Sequence, residues 1–205
     1  MSRRGRPPSF DRNVALERAM EVFWEKGYEG AQLVDLTAAM EINPPSFYAA
    51  FGSKKAAFCE AVDLYISTVG SKSAQALNSA PTARDGLRAM LTVTIDVATS
   101  TEAGGCLLVL GVVNNLPEND EVWSHLKAKR SETLALIRAR LERGITDKDL
   151  PPHTDVKALA SHFLGLTQTI SFQARDGASR AALKRLIEPG MAALPSIEQE
   201  SAHTR

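Results

Sequence analysis

The sequence predicts an all-α protein, with an N-terminal three-helix helix-turn-helix domain and a C-terminal helical bundle. Three observations carry that reading. Apolar residues recur at three- and four-residue spacing along most of the chain, with no strand-like alternation. Helix-breaking residues separate the periodic runs, at Gly27, Gly52, Pro81, Gly104-Gly105, Gly144 and Pro151-Pro152. Residues 32–51 hold two short periodic runs across a tight turn, the layout of a helix-turn-helix.

The elements follow in chain order. Residues 1–10 carry Arg3, Arg4 and Arg6 with no acid, and their glycine and prolines forbid a helix. They read as an extended basic arm whose arginines suit a narrow minor groove; a solvated terminus is the alternative. A helix over 11–26 buries Ala15, Ala19, Val22 and Phe23 and stops at Gly27. Leu33, Leu36 and Met40 line the next helix, and Glu41-Ile42 make the turn. Asn43 then caps a helix with Pro44 at its first position, where a missing N–H costs nothing. Phe47, Tyr48 and Phe51 lie on this helix, and Gly52 ends it.

Ser53 caps a long fourth helix over roughly 54–78, striped by Phe58, Ala61, Val62, Tyr65 and Val69. The domain boundary falls within it, so residues 11–65 form the DNA-reading unit and 66–195 the bundle, with 196–205 a disordered tail. Thr82 and Asp85 form a variant capping box for a helix to about Thr99. Gly104-Gly105 precede an apolar run from Cys106 to Val113. Pro117 and Asn119 open a helix that Gly144 ends. Residues 155–175 are apolar on nearly every side, so both faces need cover, one of them from a partner subunit. In 179–194, Pro189-Gly190 should kink the helix or end it early.

The totals bound the function. The 205 residues suffice for one large domain or two small ones, and the net charge is zero. That charge is polarised. Four arginines less Asp11 leave plus three in residues 1–12, residues 13–41 sum to minus four, and Lys54-Lys55 add plus two. Positive charge therefore flanks the segment that would meet phosphate. Two cysteines are too few for a disulfide framework and suit a reducing cytoplasm. No run approaches the ~18 consecutive apolar residues of a membrane span. No nucleophile motif, phosphate-binding glycine loop or metal-hydrolase spacing occurs, which excludes the common enzyme signatures.

Ala19, Phe23, Gly27, Tyr28, Leu33, Asp35 and Leu36 occur together with the run Ile42-Asn-Pro-Pro-Ser-Phe-Tyr-Ala-Ala-Phe-Gly-Ser-Lys54. In these positions the chain closely resembles the TetR/AcrR family of transcriptional repressors, whose C-terminal helical part is a ligand-binding and dimerisation bundle. The matching positions span residues 10–65; the remainder resembles the family only in helical layout. The resemblance implies phosphate contacts from Tyr48 and Lys54, with Pro45 and Ser46 at the front of the recognition helix and Ala49 on its groove side. Gln32 stands where the family usually has Ser or Thr touching phosphate. Glu41 replaces the family's turn glycine, so the turn must tolerate a side chain. The resemblance also implies a homodimer joined through roughly 155–194, a double-stranded operator and a small-molecule effector. No residue from Ile42 to Ser53 is charged, which rules out the Arg-to-guanine contact from this helix.

The bundle offers further candidates. Met90, Cys106, Trp123, Arg130, Phe163 and Gln168 are candidate effector-pocket residues, with plain core as the alternative for each. Cys106 begins a helix, where the macrodipole favours a thiolate, so it is also a redox candidate; a small buried apolar residue is the other reading. His125, His153, His162 and His203 form no ligand-spaced pair, so no metal is expected, with a copper or zinc site assembled across the fold from Cys106 and His125 or His162 as the alternative; no cofactor is expected either. The reading is a cytoplasmic DNA-binding repressor released by a small-molecule or redox effector. A dimeric ligand-binding protein with a vestigial helix-turn-helix is the alternative.

Overall fold

A computed structural model describes residues 10–102, 104–112, 114 and 116–195. Among these the regular elements are all helical. They are α1 (Arg12–Gly30), α2 (Leu33–Met40), α3 (Pro44–Phe51), α4 (Lys54–Tyr65), α5 (Ser71–Ser79) and α6 (Ala83–Ala98), followed by α7 (Leu107–Leu110), α8 (Asp120–Thr146), α9 (Val156–Arg175), α10 (Arg180–Lys184) and α11 (Ile187–Met191).

Local chemistry sets the starts. Asp11, Asn43, Ser53, Thr82, Asp155 and Ser179 each accept a backbone N–H of the first turn of the helix they precede. Glu41 takes the left-handed conformation (φ 56°) between α2 and α3. Its carboxylate reaches Arg18 at 3.0 Å, and Arg18 also donates to the Ala39 carbonyl, which ties the turn to α1.

Four boundaries depart from expectation. Gly27 is left-handed (φ 68°), but the chain resumes its helix to Gly30, and the N–H of Tyr28 freed at the kink donates to Gly111 O at 2.8 Å. The fourth helix is not one α-helix: a π-turn over Ile66–Gly70 separates α4 from α5. The Ser67 and Thr68 hydroxyls bond the Leu64 carbonyl and that of Ser71 bonds Thr68, the back-bonding that loosens a helical ladder. Helix α8 runs past Gly144 to Thr146 because Gly144 serves close packing there; a Cβ on it would stand 2.8 Å from that of Ala83. The C-terminal segment breaks before Pro189, which sits in the first turn of α11 where proline is tolerated.

Two apolar cores result. The first joins α1–α4 with Leu107, Val112, Val122 and Leu126, so the front half of α8 packs on the helix-turn-helix side. Phe58 stands edge-on to Phe23 and Tyr28 at its centre. The second joins α5, α6, the back half of α8 and α9–α11. Helix α9 buries Leu159, Phe163 and Ile170 but leaves Phe172 48% exposed, an uncovered apolar face on this chain. No helix among the described residues is long and apolar enough to cross a membrane.

Candidate DNA interface and effector cavity

Helix α3 is amphipathic in an unusual sense, apolar inside and small or aromatic outside. Phe47 and Phe51 are buried, whereas Pro45, Tyr48 and Ala49 are exposed and Ser46 is half-exposed. The Tyr48 ring stands edge-to-face with that of Phe47, and Tyr48 is 52% exposed. The Asn43 carboxamide is occupied by the Ser46 N–H at 2.9 Å.

Arg12 clamps the helix from behind. Its guanidinium forks onto the Glu60 carboxylate at 2.7 and 2.9 Å, stacks 4.6 Å over the Phe51 ring and donates to the Ala50 carbonyl. Arg12, counted in the positive charge of residues 1–12, is thus not free for phosphate: its charge is used on Glu60 and Phe51. Arg3, Arg4 and Arg6 lie outside the described residues.

Lys54, at the first position of α4, leans over the Tyr28 ring at 4.6 Å, and burial pushes its ammonium below the ordinary value. Gln32 precedes α2 with its backbone N–H held by Asp35 at 2.9 Å. Its side-chain amide turns back to the Glu29 carbonyl at 3.3 Å. Pro45, Ser46, Tyr48 and Ala49 thus share one exposed helix, and Lys54 and Gln32 flank it on neighbouring helix starts.

Behind this head lies a cavity of about 150 Å³. The end of α4 and the π-turn form one wall, and α5, α6, α8, α9 and the Cys106–Val109 segment form the rest. Of the six pocket candidates, Met90, Cys106, Arg130 and Gln168 line it. Trp123 does not: it packs against the helix-turn-helix core under Lys127. Phe163 does not either, being fully buried in the second core. Helical period says which residues turn inward, not which layer they meet.

Cys106 is half-buried and lines the cavity. Burial pushes its thiol up against the opposing pull of the Tyr65 hydroxyl and of the Val109 and Leu108 N–H groups. The thiolate expected at a helix start is thus opposed by desolvation, and α7 is only four residues long. Arg130 donates to the Leu108 carbonyl at 3.1 Å, and burial pushes its guanidinium down with no acid offsetting it. His125 pairs with Asp63 at 3.0 Å, and His162 meets the Gly190 carbonyl.

Residues 104–112 also grip α1, which sequence reasoning missed. The Trp24 indole donates to Gly105 O at 3.1 Å and the Tyr28 N–H to Gly111 O. Arg175, from the far end of α9, donates to the carbonyls of Trp24, Glu25 and Gly104. No local pattern marks Arg175, since its partners are carbonyls 71 to 151 positions away.

A three-helix head presenting one exposed helix, backed by a helical bundle with a cavity, is the layout of a helix-turn-helix regulator. The chain belongs to the TetR family. The family model for bacterial regulatory proteins of the tetR family matches residues 15–61, and that for the tetracyclin repressor-like C-terminal domain matches 83–189. The HTH-type transcriptional repressor ComR of Escherichia coli K12 is 30% identical, over 89% of this chain and 88% of its own. The TetR family regulator CifR, solved as a cysteine mutant with 26-bp double-strand operator DNA, is 44% identical at a TM-score of 0.89, over 93% of this chain and 100% of that one. A TetR regulator from Rhodococcus sp. RHA1 is 35% identical at a TM-score of 0.61, over 89% and 98%. The chain is accordingly a DNA-binding transcriptional regulator.

Proposed function

We propose that the protein is a repressor that binds a near-palindromic operator as a homodimer and leaves it when a small molecule occupies the cavity. The exposure of Pro45, Ser46, Tyr48 and Ala49 on a helix whose inner face is anchored by Phe47 and Phe51 carries the DNA reading. Residues 11–65 would be the reading head and 66–195 the effector and dimer unit. The exposed Phe172 on α9 supports a partner covering roughly 155–194. The protein would work in the cytoplasm, where operator DNA lies.

The chemistry of binding follows from the charge. With no Arg or Lys on α3, Ser46, the Tyr48 hydroxyl and thymine-methyl contacts from Pro45 and Ala49 read the bases. Lys54 supplies phosphate contact, as would Gln32 once its amide leaves Glu29, and Arg3, Arg4 and Arg6 add charge from the arm. In the dimer two α3 helices would meet major grooves ~34–36 Å apart. Because the cavity wall includes Tyr65 and Ile66, a ligand there bears directly on α4, whose other end starts at Lys54. It need only bind the DNA-incompetent state more tightly to release the operator. The cavity itself, together with a Cys106 thiol raised by desolvation, supports a bound molecule over a redox change as the trigger.

Fluorescence anisotropy with DNA upstream of the gene tests the DNA reading. Wild type should bind one fragment selectively, and Tyr48→Phe and Lys54→Ala should each weaken binding by about 1–3 kcal/mol. Failure with every upstream fragment at low salt would favour a ligand-binding protein whose helix-turn-helix only packs.

A further inference from the structure

We propose that the cavity takes a small amphipathic monocarboxylate, its anionic end on Arg130 and its hydrocarbon body against the apolar walls. The inference names a ligand class for the effector cavity, and its consequence for operator release rests on the function proposed above.

Size comes first. A cavity of about 150 Å³ matches one known to accept benzene, so a single ring or a chain of about six carbons fits. Leu77, Met90, Ile137 and Leu164 give it hydrocarbon walls. A polar sugar or a nucleotide would exceed the space and leave its hydroxyls unpaired.

Charge comes second. Arg130 stands half-buried on this wall, and among the described residues no acid forms an ion pair with it. One of its five N–H groups goes to the Leu108 carbonyl. A guanidinium on an apolar wall without a counter-ion is costly, and a carboxylate offers the two-point contact that its fork matches. A single cation suits a single negative charge and disfavours a polyanion. It also repels an amine.

The remaining polar groups agree. The Thr94, Thr133 and Thr167 hydroxyls donate back to carbonyls of their own helices, at Met90, Lys129 and Leu164. The Gln168 carboxamide lines the cavity with no hydrogen-bond partner among the described residues. The donors left free, on Arg130, Gln168 and the Ser73 hydroxyl that accepts from Thr94, suit an acceptor-only head. Capture of that head also bears on α1, because the Leu108 carbonyl bonded to Arg130 belongs to the segment that grips Trp24 and Tyr28.

Isothermal titration of the full-length protein with benzoate and hexanoate, against benzamide, hexanamide and hexylamine, tests the ligand class. The carboxylates should bind roughly tenfold or more tighter than their amides, and hexylamine more weakly still. Arg130→Gln should bring carboxylate and amide within about twofold, and Arg130→Lys should restore part of the difference. Equal binding of acid and amide by wild type, undiminished carboxylate binding by Arg130→Gln, or no binding by any probe overturns the proposal. If Arg130→Gln does not fold, the acid-to-amide ratio of wild type and Arg130→Lys decides. Anisotropy on operator DNA separates the two claims: a carboxylate that binds through Arg130 yet leaves the operator in place refutes effector release and leaves the ligand class standing.

Discussion

Arg140 has its guanidinium in the second core, where it does the work of a helix cap. It is 1% exposed and donates to the carbonyls of Leu77 and Ala80 at the end of α5, with Asp149 4.0 Å away. Arg140→Ala should lower unfolding stability by about 3–5 kcal/mol, since it strands two carbonyls and leaves Asp149 without its cation; urea denaturation measures this, and a change near zero would show the site open to water. The thiols make a second residue-scale case. Burial pushes Cys59 up to about 11 and raises Cys106 as well, so alkylation by iodoacetamide should be slow at neutral pH and quicken as pH rises. Full labelling at neutral pH would restore the redox reading. Lys26 and Asp35 join α1 to α2 at 2.7 Å, each shifted chiefly by its hydrogen bond to the other. Asp35 is held below the ordinary carboxylate value, so its contribution is present above that value and lost as pH falls through the lowered one. Asp35→Asn should remove that acid-side dependence in a pH series of melts.

At the level of elements, the segment 104–112 does more than its short helix suggests. It lines the cavity through Cys106, Leu108 and Val109 and holds α1 through Gly105 and Gly111. Trp24→Phe leaves the buried Gly105 carbonyl without its donor and should cost about 1–3 kcal/mol, with faster amide exchange across 104–112; unchanged exchange would show that the grip on α1 is made elsewhere. Much of the element layout was legible beforehand because its signals are local. Asn43, Ser53 and Thr82 cap the helices they were expected to cap, and Glu41 adopts the turn geometry its side chain demands. The π-turn at Ile66–Gly70 was not, because the periodicity of α4 and α5 continues across it. Neither was the fate of Gly27, whose left-handed φ reads as an end although the helix resumes. Trp123 and Phe163 turn inward as their spacing says, yet into two packed cores and not the cavity, a choice made by long-range packing.

For the whole molecule, the net charge of zero concealed a division of labour. The recognition helix is uncharged, Arg12 is spent on Glu60, and the cations left beside α3 are few. Affinity for DNA should therefore depend on the dimer, which doubles those contacts and fixes their spacing. Phe172→Lys on the exposed face of α9 should weaken self-association by about 2 kcal/mol or more, seen by light scattering as a concentration-dependent loss of dimer; an unaltered dimer would move the interface elsewhere. Whether an uncharged helix reads operator DNA while neighbouring cations hold it is decided by operator affinity measured across salt concentrations beside a scrambled duplex. Binding should be selective, its logarithm falling linearly with the logarithm of salt by about 0.9 per phosphate contact, with a shallower slope when Arg3, Arg4 and Arg6 are replaced by Ala. Equal affinity for both duplexes, or a slope that the three replacements leave unchanged, would contradict that assignment of roles.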